Sequence, residues 1–102
     1  MIIFDETFPP SSFEQFADAH GLVLEIHERP RSIEGDGMRF YAHFKRAEVK
    51  DRGGLLSLNG NGATKQAAIE EYAKRLRGQT LVIGAYTPER REIQCPNEWQ
   101  PS

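Results

Sequence analysis

Cysteine is almost absent from this chain of 102 residues, which contains only Cys95. One cysteine cannot form an internal disulfide, and the chain has no C-x-x-C pair of the kind that builds a zinc knuckle. The first residues become acidic at Asp5 and Glu6, so they do not resemble a signal peptide, and no apolar run approaches the ~20 residues that cross a bilayer. These absences predict a cytoplasmic protein with no membrane partner.

An excess of positive charge is also missing. Thirteen Lys and Arg residues against fifteen Asp and Glu residues give a net charge of -2, so no overall positive field attracts nucleic acid. Hydrophobic residues make up 38% of the chain, which is enough to close one core, and the chain is too short for two. We therefore expect a single domain over residues 1–102.

Two helices are predicted from their capping residues. Ser11 or Ser12 can cap a first helix over residues 12–20, with a Glu or Gln three residues later to complete a capping box. Thr64 can cap a second helix that ends at Gly78. The second helix carries an apolar stripe at helical spacing, formed by Ala68, Ile69, Tyr72, Ala73 and Leu76.

The rest of the chain predicts antiparallel strands. Alternating or β-prone segments are separated by turns rich in Gly, Pro and Asp, and they cover residues 22–28, 38–49, 55–58, 80–86 and 91–95. In the second segment, strict alternation would bury Arg46 and Glu48 instead of Ala47 and Val49, so we expect a bulge near Lys45 to Ala47. The fold class is α+β, in the order α-β-β-β-α-β-β, with two helices covering one face of an antiparallel sheet and a C-terminal hairpin that extends or flanks it.

The part from residue 12 to residue 77 resembles the double-stranded RNA-binding domain. The motifs that carry the resemblance lie at the first helix (Pro10-Ser11, Ala17, Gly21-Leu22) and at the entry to the second (Gly60-x-Gly62-x-Thr64-Lys65, then Ala68). The resemblance implies an N-terminal segment over residues 1–10, a core like that domain over 11–78, a C-terminal hairpin over 79–95 and a tail over 96–102.

For function, the resemblance implies only weak binding to RNA. That family grips phosphates with three lysines at the start of its second helix. Here Lys65 remains, but Gln66 and Ile69 occupy the other two positions. The loop that enters a minor groove in the family carries Glu34 and Asp36 here, and these carboxylates would be repelled by phosphates.

The C-terminal two fifths also resemble a group of small uncharacterised phage and prophage proteins. The strings that carry this resemblance are Gly60-Asn61-Gly62-x-Thr64, Tyr72-Ala73-Lys74, Gly78-x-x-Leu81-Val82-Ile83 and Arg90-Arg91-Glu92-Ile93. The resemblance implies a mobile-element origin, and hence the cytoplasm of the host, but no particular activity.

No set of acid, base and nucleophile is evident. The three histidines, His20, His27 and His43, fall on a helix end and on two different strands, and a metal or catalytic site needs converging ligands or a base beside a nucleophile. His27 and His43 can be cross-strand neighbours on the outer face of the sheet. Cys95 has no neighbouring base in the sequence. We expect no catalytic residue, no metal and no cofactor, and a small hydrolase or nuclease stays a remote alternative.

Two groups of residues are candidates for binding. The basic residues can contact nucleic acid if the end of the second helix lies near the last hairpin turn, and otherwise they are ordinary surface charge; they are Lys65, Lys74, Arg75, Arg77, Arg90 and Arg91. Phe4, Phe8 and Trp99 lie in the terminal segments, where they either cover the core or present an apolar surface to a partner. The leading hypothesis is a phage-type accessory protein that binds another protein or itself, and the alternative is a degenerate binder of double-stranded RNA or DNA.

Overall fold

The structure is a computed structural model that describes residues 12–30 and 38–100. In this part the chain forms two helices and seven strands, and the α+β class predicted from the sequence is confirmed. The elements are α1 (Phe13–Ala19), β1 (Leu24–Glu28), β2 (Phe40–Phe44), β3 (Ala47–Asp51), β4 (Gly54–Leu56), β5 (Gly60–Gly62), α2 (Lys65–Leu76), β6 (Thr80–Ile83) and β7 (Arg91–Gln94).

The strands form two antiparallel sheets. One has the order β1-β2-β5, and the other has the order β4-β3-β6-β7. The predicted order of helices and strands is confirmed. However, the second predicted strand is divided into β2, in the first sheet, and β3, in the second. The segment that follows it is divided in the same way, with β4 in the second sheet and β5 in the first. The C-terminal hairpin, β6 and β7, extends the second sheet through the pairing of β6 with β3.

The division between the sheets occurs at Arg46, which has a positive φ of 61°. This left-handed residue shifts the alternation, so that Phe44 before it and Val49 after it are both buried while Arg46 is exposed. The change of phase expected near Lys45 to Ala47 is present, but it is a turn between two strands and not the predicted bulge within one strand. The backbone of Arg46 stays tied to the second sheet, because its carbonyl accepts a hydrogen bond of 3.1 Å from the N–H of Gly84.

Both helices begin as their sequences predict. The side chain of Ser12 accepts a hydrogen bond from the N–H of Gln15, and the side chain of Gln15 accepts one from the N–H of Ser12, which is a complete capping box. The hydroxyl of Thr64 accepts from the N–H of Ala67 at 3.0 Å. After α2 the chain turns at Gly78, whose φ of 72° is the left-handed conformation that glycine adopts without a steric penalty.

The core lies between the helices and the first sheet and continues under the second sheet. Phe13 of α1 stacks on Phe44 of β2, with 5.1 Å between the ring centroids. The hydroxyl of Tyr72 accepts a hydrogen bond of 2.9 Å from the N–H of Phe44. Phe44 lies two residues past Ala42, the last residue of β2 that pairs with β5. Tyr72 is almost fully buried, and this bond satisfies a backbone donor on the β5 side of β2, where the pairing with β5 has already ended at Ala42 and Gly60.

The Gly60–Gly62 segment forms strand β5, although it lies outside the strand segments predicted from the sequence. A Cβ on Gly62 would lie 2.6 Å from Cβ of Ala67, and a Cβ on Gly60 would lie 2.5 Å from Cα of Tyr72. The glycines are therefore required because α2 packs directly on the backbone of β5. This contact across the fold cannot be recognised from local sequence.

Candidate binding site on the outer faces of the sheets

The outer face of the first sheet carries aromatic side chains and side chains of the types that can act as metal ligands. Glu25 of β1 lies opposite His43 of β2, and His27 lies opposite Tyr41. The intervening residue of β2, Ala42, points the other way and is fully buried against the helical layer. The alternation of each strand thus places two histidines, a tyrosine and a glutamate on one accessible face.

The aromatic side chains on this face form a stack. The ring of His27 lies 4.8 Å from that of Tyr41 and 5.1 Å from that of His43, with interplanar angles of 20° and 13°. The guanidinium of Arg29 covers Tyr41 at 4.7 Å from the ring centroid. Arg29 is held there by hydrogen bonds from its guanidinium to the carbonyl of Met38 and to Oδ1 of Asn61, at 2.6 and 2.7 Å.

Glu25 brings a carboxylate to both imidazoles. Its Oε1 atom lies 3.6 Å from Nε2 of His27 and 3.9 Å from Nε2 of His43. In residues 12–30 and 38–100, Glu25, His27 and His43 are the ligand-type side chains that come within 4.8 Å of one another. Sequence analysis recognised the two histidines as cross-strand neighbours but missed Glu25. Its position two residues before His27 on the same face was the available signal.

A groove of about 510 Å³ begins beside His43 and runs between the two sheets. Four segments form its walls: Tyr41 and His43 of β2, residues 46–48, residues 57–59 and residues 84–87. Tyr86 is 86% exposed, and it is the most exposed large hydrophobic side chain of the described part of the chain. Sequence analysis treated Tyr86 only as the end of a strand, whereas β6 ends at Ile83 and residues 84–87 form a turn.

The predicted basic residues do not form one patch. The end of α2 lies by the tail, because the N–H of Gly78 donates to the carbonyl of Pro96. Arg91 pairs with Ile83, at the opposite end of the β6–β7 ladder from Thr80. Of the two alternatives left open by the sequence, the strand register therefore favours ordinary surface charge over one basic patch.

Several of the basic residues also have acidic partners. Arg75 lies 3.7 Å from Glu71, and Arg90 lies 2.9 Å from Glu92. Hydrogen bonds from Lys50 and Arg90 lower the pKa of Glu92. Of the remaining candidates, Lys74 and Arg77 lie together at the end of α2 beside Glu70 and Glu98, while Lys65 is exposed at the start of α2 and Arg91 on β7. Partial neutralisation and separation both weaken the attraction that a phosphate backbone would feel.

Trp99 covers the core. Its ring lies edge-on to Phe13 and Phe16, at centroid distances of 5.2 and 5.1 Å, and its Nε1–H donates a hydrogen bond of 2.6 Å to the carbonyl of Ala73. Of the two roles open from the sequence, the structure thus assigns the first to Trp99. Phe4 and Phe8, the other residues of the predicted partner surface, lie outside the described residues, as do Glu34 and Asp36.

Cys95 and His20 stand apart from the groove. Burial raises the pKa of the Cys95 thiol to about 12, so the thiol stays protonated near neutral pH, and this argues against a nucleophilic role. The ring of His20 packs on Phe16 at the end of α1, with 4.7 Å between centroids.

Within residues 12–30 and 38–100, no helix has the length and apolar character needed to cross a membrane. Comparison of the chain with models of known protein families, with curated proteins and with solved structures finds no match.

Proposed function

We propose that this chain is a non-catalytic accessory protein of phage or prophage type that binds a protein partner, such as a host factor, in the groove between its two sheets. The observation that carries the proposal is the pairing of this groove with Tyr86, an aromatic side chain that is 86% exposed at its wall. Tyrosine is enriched at protein interfaces, because its ring buries a large area at a low cost in conformational entropy.

The turn that presents Tyr86 is well ordered by its own hydrogen bonds. The N–H of Thr87 donates to the carbonyl of Gly84 at 3.0 Å, and the hydroxyl of Thr87 donates to the same carbonyl at 2.8 Å. Gly84 has a positive φ of 63°, which allows the chain to leave β6 sharply. The backbone of this turn is held in place before a partner binds, so little backbone freedom is lost on binding, which favours affinity.

The opposite wall suits an extended segment of a partner protein. Residues 57–59 run between β4 and β5 without belonging to a strand, so their backbone is not part of either sheet ladder. Leu58 and Ala85 give the groove apolar contacts, while Arg46 and Glu48 add one charge of each sign. A partner segment with alternating apolar and polar side chains matches this combination.

The experiment is an affinity capture from host lysate with the full chain, carried out with and without nuclease. Wild type is compared with Tyr86→Ala and with the control Val23→Ala, since Val23 is an exposed apolar residue (58%) that does not line the groove. We expect a captured protein that survives nuclease, is retained by Val23→Ala and is lost with Tyr86→Ala.

A capture that disappears with nuclease would reject protein binding and favour the nucleic-acid alternative. Equal capture by wild type, Tyr86→Ala and Val23→Ala would show that the groove is not the interface. Circular dichroism of each variant checks that the fold is retained, which the exposure of both side chains leads us to expect.

A further inference from the structure

We propose that Glu25, His27 and His43 form a binding site for a divalent transition-metal ion, with zinc as the preferred ion. This departs from the expectation of no metal site, which rested on the placement of the histidines on separate elements. The register of β1 and β2 removes that objection, because it sets Glu25 opposite His43 and leaves His27 two residues further along the same face.

The spacing of the donor atoms is close to that of a tetrahedral site. Ligands at 2.0–2.2 Å from a tetrahedral ion lie roughly 3.4 Å from one another. The carboxylate oxygen of Glu25 is 3.6 Å from Nε2 of His27 and 3.9 Å from Nε2 of His43, and all three donor atoms lie within 4.8 Å of one another. The two imidazole rings are stacked with an interplanar angle of 13°, so at least one ring has to rotate for both lone pairs to point at the same ion.

The hydrogen bonding of His43 prepares its Nε2 atom to bind a metal. Its Nδ1 atom lies 3.0 Å from the carbonyl oxygen of Phe44. A carbonyl can only accept, so Nδ1 carries the hydrogen, and in the neutral ring the lone pair is on Nε2. A second-shell bond from the other ring nitrogen to a backbone carbonyl is the usual way in which a metal-binding histidine is oriented.

The surroundings leave the site accessible. The side chains of Glu25, His27 and His43 are 36%, 42% and 25% exposed, so an ion can enter and the rings can rotate to meet it. The nearby cation, Arg29, is held over Tyr41 by its bonds to Met38 and Asn61. The remaining coordination positions would be open to water or to a group in the groove, since His43 also lines the groove.

The chemistry of the donors selects the class of ion. Two imidazole nitrogens and one carboxylate suit zinc, cobalt and nickel, whereas calcium and magnesium prefer oxygen ligands alone. Imidazole binds a metal ion through the lone pair of an unprotonated ring nitrogen, so a metal ion and a proton compete for the same atom.

The test is calorimetric titration of the purified, tag-free full chain with zinc chloride after treatment with a chelator. We expect one ion per chain, and a loss of affinity of more than about tenfold in His27→Gln and in His43→Gln, since even second-shell changes cost that much. His20→Gln is the matched control, because His20 lies on α1 outside the cluster, and its affinity should equal that of wild type.

A second measurement does not depend on variants. Cobalt bound to wild type should give visible absorption bands of a low-symmetry site, and zinc should shift the imidazole NMR signals of His27 and His43 while leaving those of His20 in place. Absence of binding would overturn the proposal. Stoichiometric binding that survives both His27→Gln and His43→Gln, or zinc-induced shifts at His20 alone, would overturn it equally.

Discussion

Replacement of Gly60 by alanine tests the close contact between α2 and β5. The added Cβ would lie 2.5 Å from Cα of Tyr72 and would also meet the backbone of Ala68 and the N–H of Tyr72. These are backbone atoms in the middle of a helix, so they cannot rotate aside as a flexible side chain would. Either α2 must move away from the sheet or β5 must leave its ladder.

The size of the effect follows from two opposing terms. Overpacking costs about 1–3 kcal/mol, and the rigid neighbours place this site at the upper end. Replacing glycine by alanine returns about 0.4–1 kcal/mol by restricting the unfolded chain. We therefore expect the free energy of unfolding to fall by about 2–3 kcal/mol, which lowers Tm by on the order of 10–20 °C in a domain of this size.

The assay is urea denaturation monitored by circular dichroism, with Gly54→Ala as the control. Gly54 lies at the start of β4, has no positive φ, and its added Cβ would meet only the carbonyl of Asp51 at an ordinary 3.7 Å. The control should leave the free energy of unfolding unchanged or raise it by up to about 1 kcal/mol, since it restricts the unfolded chain without a clash in the folded one. If Gly60→Ala and Gly54→Ala unfold at the same urea concentration, α2 does not pack on β5 as described.

Three further predictions concern the core and the surface. Tyr72→Phe removes the acceptor for the N–H of Phe44 and should lower the free energy of unfolding by about 1–3 kcal/mol in the same assay; an unchanged midpoint would contradict the buried hydrogen bond. Burial raises the pKa of both Tyr72 and Cys95 to about 12, so the folded state keeps both groups protonated. The two buried groups contribute fully to the free energy of unfolding below their ordinary pKa values, 10.0 for Tyr72 and 9.0 for Cys95. This contribution is lost as the pH rises towards 12, so the unfolding temperature should fall over that range. Binding to a duplex of about 20 base pairs should be no tighter than roughly 10⁻⁴ to 10⁻⁶ M at physiological salt; submicromolar binding abolished by Lys65→Glu would restore the RNA-binding alternative.

The local features of the fold could be read from the sequence. The caps at Ser12 and Thr64 and the left-handed Gly78 depend on residues within three or four positions, so their chemistry is visible in the chain. The division into two sheets is different in kind. The change of phase near Arg46 is visible in the sequence, but its two flanking strands enter different sheets because β2 pairs with β5 and β3 pairs with β6, and these partners are far apart in sequence.

The candidate site shows the same limit. Alternation within β1 places Glu25 and His27 on one face, and this much is evident from the sequence. Their approach to His43 depends on which residue of β2 lies opposite which residue of β1. Alternation excludes a shift of one position, which would bury the polar face, but a shift of two positions keeps both faces and would move His43 away from Glu25.

Trp99 gives the protein a built-in optical reporter. It is the single tryptophan of the chain, and it joins the C-terminal segment to both helices through its contacts with Phe13, Phe16 and the carbonyl of Ala73. Its fluorescence spectrum therefore responds to the docking of that segment, whereas circular dichroism at short wavelength responds to the helices and sheets themselves. Release of the segment ahead of global unfolding would appear as a red shift of the emission with the dichroism unchanged, which separates the two events in one sample without any label.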